Sequence, residues 1–155
     1  MNLSQVQPRL FVGSCPTSTD DIDHLKAEYG ITAILSLQTD NDLDYWDMDW
    51  KRLELHCHEL GIKVRRVPVR DFDGLDLRKK LSQCVQELDA LLKDGGTVYT
   101  HCTVGAGRSP SVVIAYLVWK QGFNFDEAIE HVTRSRSCSP NIEAIEQASS
   151  DRAAA

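Results

Sequence analysis

The sequence predicts an α/β domain with a central, mostly parallel sheet of four or five strands flanked by helices, and three observations predict it. Short β-prone runs alternate with segments of helical period along the chain. One of those runs, Ile31 to Leu37 (ITAILSL), is almost continuously apolar, as in a strand covered on both faces of its sheet. Late in the chain, Gly96 to Thr100 (GTVYT), a Gly-rich loop and the apolar run Val112 to Trp119 follow one another as strand, tight loop and helix.

The elements follow in order. After a polar leader, Arg9 to Ser14 (RLFVGS) reads as a short strand and Cys15 to Ser18 as a turn. Ser18 with Asp21 forms a capping box for a helix from Thr19 to Tyr29, and Gly30 stops it. The Ile31 to Leu37 strand leads to an acidic loop, Gln38 to Asp49, and then to a helix over Trp50 to Leu60 with Leu53, His56, Cys57 and Leu60 at helical spacing. Ile62 to Val69 is a strand in which Pro68 marks an end or an edge. Leu75 to Asp94 is the clearest helix: Leu77, Leu81, Val85, Leu88 and Leu92 share one stripe, and Gly95-Gly96 ends it. Beyond the Val112 to Gln121 helix, Gly122 is a stop, and Asn124 with Glu127 caps a helix to about Arg134. Ser135 to Pro140 is a connector, and a last helix spans Asn141 to about Ser149. The order is βαβαβαβααα. One domain over 1–150 is expected, with residues 151–155 a frayed tail.

Composition narrows the function. The 155 residues carry a net charge of −6 with a pI near 5.3, which argues against nucleic acid or an anionic membrane surface as partner. No run of about 18 apolar residues occurs, so no membrane span is expected. Five cysteines at irregular spacing, no CxxC pair and no signal peptide or basic, Ser-rich leader lead us to expect a reducing cytoplasm. A monomer is expected. Arg65, Arg66, Arg70, Arg78, Lys79 and Lys80 cluster in the middle third, either as a positive rim or as solvated faces of a strand and a helix.

The richest stretch is His101 to Pro110 (HCTVGAGRSP). Five residues separate Cys102 from Arg108, and two of them are Gly, so Thr103, Val104, Gly105, Ala106 and Gly107 can curl until their N–H groups converge at a helix N-terminus. Such a nest binds an oxyanion. At its base, the Cys102 thiol would feel the helix dipole and a guanidinium, surroundings that bring a thiol from about 8.5 to roughly 3.5–7.5. The Arg108 fork matches two phosphate oxygens while amides hold the third, presenting phosphorus to sulfur for in-line attack. The product would be a cysteinyl-phosphate. Ser109 can donate its hydroxyl to the departing sulfur, and His101 can fix the Cys102 backbone.

Such chemistry needs an acid on another loop to protonate the leaving oxygen and later to deprotonate water, for a factor of about 10²–10⁴. The loop Arg70 to Gly74 (RDFDG) offers Asp71 and Asp73; Asp71 lies nearer the strand end, while Asp73 suits an N-cap. Tyr45 and Trp46, in the acidic loop, are either a ligand platform or a cap on the core. His56, Cys57 and His58 do not make a metal site, since neighbours on a helix diverge and a fourth ligand is missing. Neither a metal nor a cofactor is expected.

The loop resembles the cysteine-dependent signature of the dual-specificity phosphatases, and the likeness extends along nearly the whole chain. Val12 to Ser14 (VGS), Asp21 to Lys26 (DIDHLK), the LQ…D…YW pattern ending at Trp46, Asp71 to Asp73 (DFD), Leu77-Arg78 and Ser137 to Ala148 (SCSPN…AI…A) are similar to plant starch-excess-type glucan phosphatase domains. The resemblance implies a dual-specificity phosphatase fold, Cys102 as nucleophile, Arg108 as phosphate clamp and Asp71 as general acid and base. It implies that Tyr45, Trp46 and Phe72 stack on sugar rings. Val104, Ala106, Ser109 and Lys120 depart from the residues usual in glucan phosphatases, and Ser109 is what protein-directed members carry. The expected substrate is therefore a phosphoprotein, on Tyr, Ser or Thr, or a phosphorylated glucan. The alternative is a non-catalytic module that binds phosphate or glucan.

Overall fold

The computed structural model describes residues 1–155. Five strands, β1 (Leu3–Gln7), β2 (Leu10–Gly13), β3 (Ala33–Ser36), β4 (Lys63–Arg66) and β5 (Val98–His101), form one sheet in the order β1-β2-β5-β3-β4. All neighbours are parallel except β1 and β2, so the sheet is mostly parallel as expected. The helices are α1 (Thr19–Tyr29), α2 (Asp40–Tyr45), α3 (Trp50–Glu59), α4 (Gly74–Lys93), α5 (Arg108–Gln121), α6 (Phe125–Ser135) and α7 (Ile142–Ala154).

Side chains alternate across the strands and so divide the core in two. Leu10, Val12, Ala33, Leu35 and Val98 face a large layer built with α4, α5, α6 and α7. Phe11, Ile34 and Tyr99 face a smaller layer with α1 and α3. Central β5, flanked by β2 and β3, therefore reaches the sheet's C-terminal edge fully covered, and the loop after it opens where such sheets bind ligands.

Several boundaries differ from the sequence expectation, each for a physical reason. The polar leader contains β1, which buries only Val6 well and owes its place to pairing with β2. The acidic loop contains α2, whose single buried residue is Leu43; a capping box between Thr39 and Asp42 starts the helix. The strand after α3 leaves the regular ladder at Arg66, and Pro68 stands between two residues that still bond to β3 and the residue after it, its nitrogen on the open edge where no N–H is needed. Val67 N and Val69 N still donate to Ser36 O (2.9 Å) and Leu37 O (3.0 Å). Helix α5 begins at Arg108 rather than Val112, with Pro110 in its first turn. At α6, Asn124 accepts from Asp126 N and not within a box with Glu127. The tail is not frayed from residue 151: α7 runs to Ala154, held by a two-point pair of Arg78 with Asp151 and by the Arg152 guanidinium 4.3 Å above the Trp119 ring.

The basic cluster is dispersed into ion pairs. Arg65 meets Glu87, Arg66 meets Asp40, Arg70 meets Asp73 and Asp76, Arg78 meets Asp151 and Lys80 meets Asp76. Of the six, Lys79 alone has no such partner. No helix is long and apolar enough to cross a membrane.

Candidate active site

The loop from Cys102 to Arg108 is built inside out, with its carbonyls tied to groups behind it. Thr103 O accepts from Cys15 N (2.9 Å), Val104 O and Gly105 O from the Arg136 guanidinium (3.1 and 2.7 Å), and Ala106 O from Ser139 N (2.7 Å). Gly107 O accepts from Ser111 Oγ (2.7 Å). No backbone N–H from Thr103 through Ser109 donates to any acceptor of the protein. Peptide dipoles so arranged make the concave side a field of unclaimed donors at the N-terminus of α5, which has no side-chain cap. Gly105 makes the curl possible with φ +78°, and a Cβ there would lie 2.4 Å from Gly13 C.

Cys102 sits buried at the base of this concavity, its Sγ 3.2 Å from Ser109 Oγ. His101 Nδ1 lies 2.9 Å from Cys102 O, a contact in which only the ring nitrogen can donate, so the proton is on Nδ1. His101 Nε2 is left buried without a partner. Burial is the main cause that brings His101 down to about 4; the bond to Cys102 O opposes it and the charge of Arg108 adds to it. His101 is therefore a neutral brace for the Cys102 backbone at neutral pH.

Arg108 is almost fully buried and its bonds are unequal. Nη1 is committed, at 2.7 Å each, to Asp42 Oδ2 and Val69 O. Nη2 has longer contacts, 3.3 Å to Thr103 Oγ1 and 3.4 Å to Asp71 Oδ2. Nε is buried and has no partner. A buried guanidinium donor costs stability when left unpaired, and Nε is the one donor of this guanidinium that no group of the protein claims.

Asp42 is the partner that the sequence did not reveal. Burial works to raise its pKa, but the bond from Arg108, then the Thr39 amide and the Arg108 charge, outweigh it and hold the carboxyl below the usual carboxylate range. The available signal was the Thr39…Asp42 capping box inside an otherwise polar stretch.

Asp71 and Asp73 part company in the structure. Asp73 is the N-cap of α4 and accepts from Asp76 N (3.0 Å), whereas Asp71 stands at the Arg108 guanidinium. Phe72 between them has φ +55° and is 100% exposed. A cavity of about 340 Å³ opens over the loop, with Cys102, Arg108, Asp71, Phe72, Val104 and Leu77 among its walls. Tyr45 and Trp46 are not in those walls. They pack edge to face, 5.1 Å apart, at the end of α2, 80% and 57% exposed. Of the three aromatic candidates the structure brings only Phe72 to the cleft.

The other four thiols lie elsewhere in the fold. Burial pushes Cys57 up to about 11 and Cys84 up to about 12, and raises Cys15 and Cys138 as well. None of the four lies in the nest.

Strand, loop of unclaimed backbone donors and helix, with a cysteine at the loop's start and a buried arginine at its end, define the class: an α/β domain with its cysteine loop between a central parallel strand and a helix. The chain belongs to the dual-specificity phosphatase family: the model of its catalytic domain, "Dual specificity phosphatase, catalytic domain", matches residues 10–150. It is 37% identical over 153 residues to "Phosphoglucan phosphatase DSP4, amyloplastic" of Castanea sativa and 36% over 151 residues to "Phosphoglucan phosphatase LSF1, chloroplastic" of Arabidopsis thaliana. Each match takes in 97% of this chain, which spans 40% and 25% of those relatives' lengths. Laforin of Mus musculus is 32% identical over 135 residues, covering 80% of this chain and 41% of laforin. Among solved structures, PTPMT1 superposes with a TM-score of 0.78 at 22% identity over 99% of both chains, a likeness of fold.

Proposed function

We propose that this chain hydrolyses phosphomonoesters through a cysteinyl-phosphate, without a metal. One observation carries the reading: the backbone N–H groups of residues 103–109 and the Arg108 Nε are all unclaimed by the protein, and the loop that bears them lines the cavity that also holds Cys102. A phosphate seated there has its charge met before reaction begins, which is where such sites gain most of their rate. Sulfur attacks phosphorus and the ester P–O bond breaks, its oxygen taking the proton of Asp71. Water then attacks the cysteinyl-phosphate, Asp71 as carboxylate takes its proton, and the S–P bond breaks. Ser109, 3.2 Å from the sulfur, stabilises it as it leaves.

A phosphorylated glucan is the substrate class with most support. Two relatives above 35% identity are phosphoglucan phosphatases by name, and the cleft carries a fully exposed Phe72 that can stack on a sugar ring. A phosphoprotein is the second reading, favoured by Ser109, the residue of protein-directed members. Turnover of p-nitrophenyl phosphate should persist in chelator and vanish in Cys102→Ser. Phosphate release from solubilised phosphoglucan, run beside a phosphotyrosine peptide, separates the substrates. Absence of release from long phosphorylated glucan chains rejects the carbohydrate reading.

A further inference from the structure

Arg136 comes from the connector between α6 and α7 and is half-buried against the outer wall of the nest. Its Nε donates to Gly105 O (2.7 Å) and its Nη2 to Val104 O (3.1 Å). The same head group reaches Ser4 Oγ through Nη1 (3.3 Å) and Asn2 Oδ1 through Nη2 (2.5 Å), so two residues at the N-terminal end fix it from the far side. The remaining loop carbonyls are held by neutral donors, Cys15 N, Ser139 N and Ser111 Oγ. Only the carbonyls on either side of Gly105 Cα are held by a cation.

That placement matters because Gly105 is the one loop residue with a positive φ, where a peptide can turn with least steric resistance. Were the Gly105–Ala106 peptide to rotate, a carbonyl would enter the nest where an amide had pointed, presenting negative partial charge to the phosphate. We infer that Arg136 is a positioning residue for this site: its guanidinium straddles Gly105 and locks both adjoining carbonyls outward, keeping the nest in its anion-binding form. The inference rests on the phosphatase reading above. The lock is charge-assisted and therefore roughly twice as strong as its neutral counterparts. It also sets a positive charge against the carbonyl side of the loop.

Arg136→Met keeps most of the stem and removes the fork; Arg136→Lys keeps the charge but reaches one carbonyl at a time. Steady-state kinetics on p-nitrophenyl phosphate, the inhibition constant of orthovanadate and the melting temperature are read for both and for the wild type. Arg136→Met is expected to lower kcat/KM and weaken vanadate by about 10- to 100-fold, toward the loss of one aimed donor from an oxyanion site. Arg136→Lys should recover part of both, and it carries the test if the Met variant does not fold. A role in folding alone would lower the melting temperature while the folded protein keeps the wild-type vanadate constant, and that result overturns the inference with the phosphatase reading intact. A wild type that neither turns over the ester nor binds vanadate removes the reading itself, and the inference with it.

Discussion

Two carboxylates separated by a single residue do different work because of what each one touches. Asp73 caps α4, satisfying an amide that would otherwise be an orphan at the helix start. Asp71 lies 3.4 Å from the Arg108 guanidinium and lines the same cavity as Cys102, which is why the proposed reaction assigns it the acid's part. The two variants should therefore separate. Asp71→Asn is expected to lower kcat by about 10²–10⁴ on substrates with a poor leaving group, with stability near that of the wild type. Asp73→Ala should cost roughly 1 kcal/mol of folding free energy and keep most of the turnover per folded molecule. Kinetics paired with urea unfolding decide the matter; the reverse pattern would move the acid to Asp73.

At the scale of the element, α2 shows what a sequence carries and what it does not. The nest was legible because its information is local: glycines within the loop, a β-prone run before it and an apolar helix after it. Asp42 and Arg136 were not, since their roles arise from partners 66 and 31 residues away and leave no periodic trace. α2 itself has one buried residue in six, so neither hydropathy nor length announces it, and only its cap marks its start. That short helix nonetheless fixes Arg108, because Asp42 holds Nη1 while Nε keeps no partner in the protein, the donor that the proposed reaction turns toward phosphate. Asp42→Asn keeps the shape and removes the charge. It should reduce kcat/KM on the order of tenfold, about 1.4 kcal/mol in the barrier, with Asp42→Glu restoring part of the loss. Wild-type kcat/KM in the Asn variant would show that Arg108 needs no such anchor.

For the molecule as a whole, acid should loosen the fold in two stages, and the first belongs to the site rather than to the surface. His101 is neutral when folded down to about 4, against an ordinary value of 6.5, because its buried ring has one bond, to Cys102 O, and an Nε2 that finds no acceptor if it takes up a proton. Between those limits the unfolded chain binds the proton and the folded chain does not, so stability is full above 6.5 and falls as pH drops toward 4. The loss amounts to about 3 kcal/mol, a large part of the 5–15 kcal/mol typical of a domain. The second stage lies lower. Burial works against ionised Asp42 and Asp76 too, but bonds from Arg108 and Thr39 to the first, and from Arg70 N and Lys80 to the second, hold both carboxyls below the usual range. Their contribution is present above the unfolded value near 3.8 and is lost as pH falls through the lower folded values. Urea unfolding at intervals from pH 7.5 to 3.5 should show a slope beginning near 6.5, and His101→Asn should flatten that upper slope while leaving the lower one in place. An unchanged slope between 6.5 and 4 in the variant would mean that another group takes up the proton, and that the brace behind Cys102 tolerates charge.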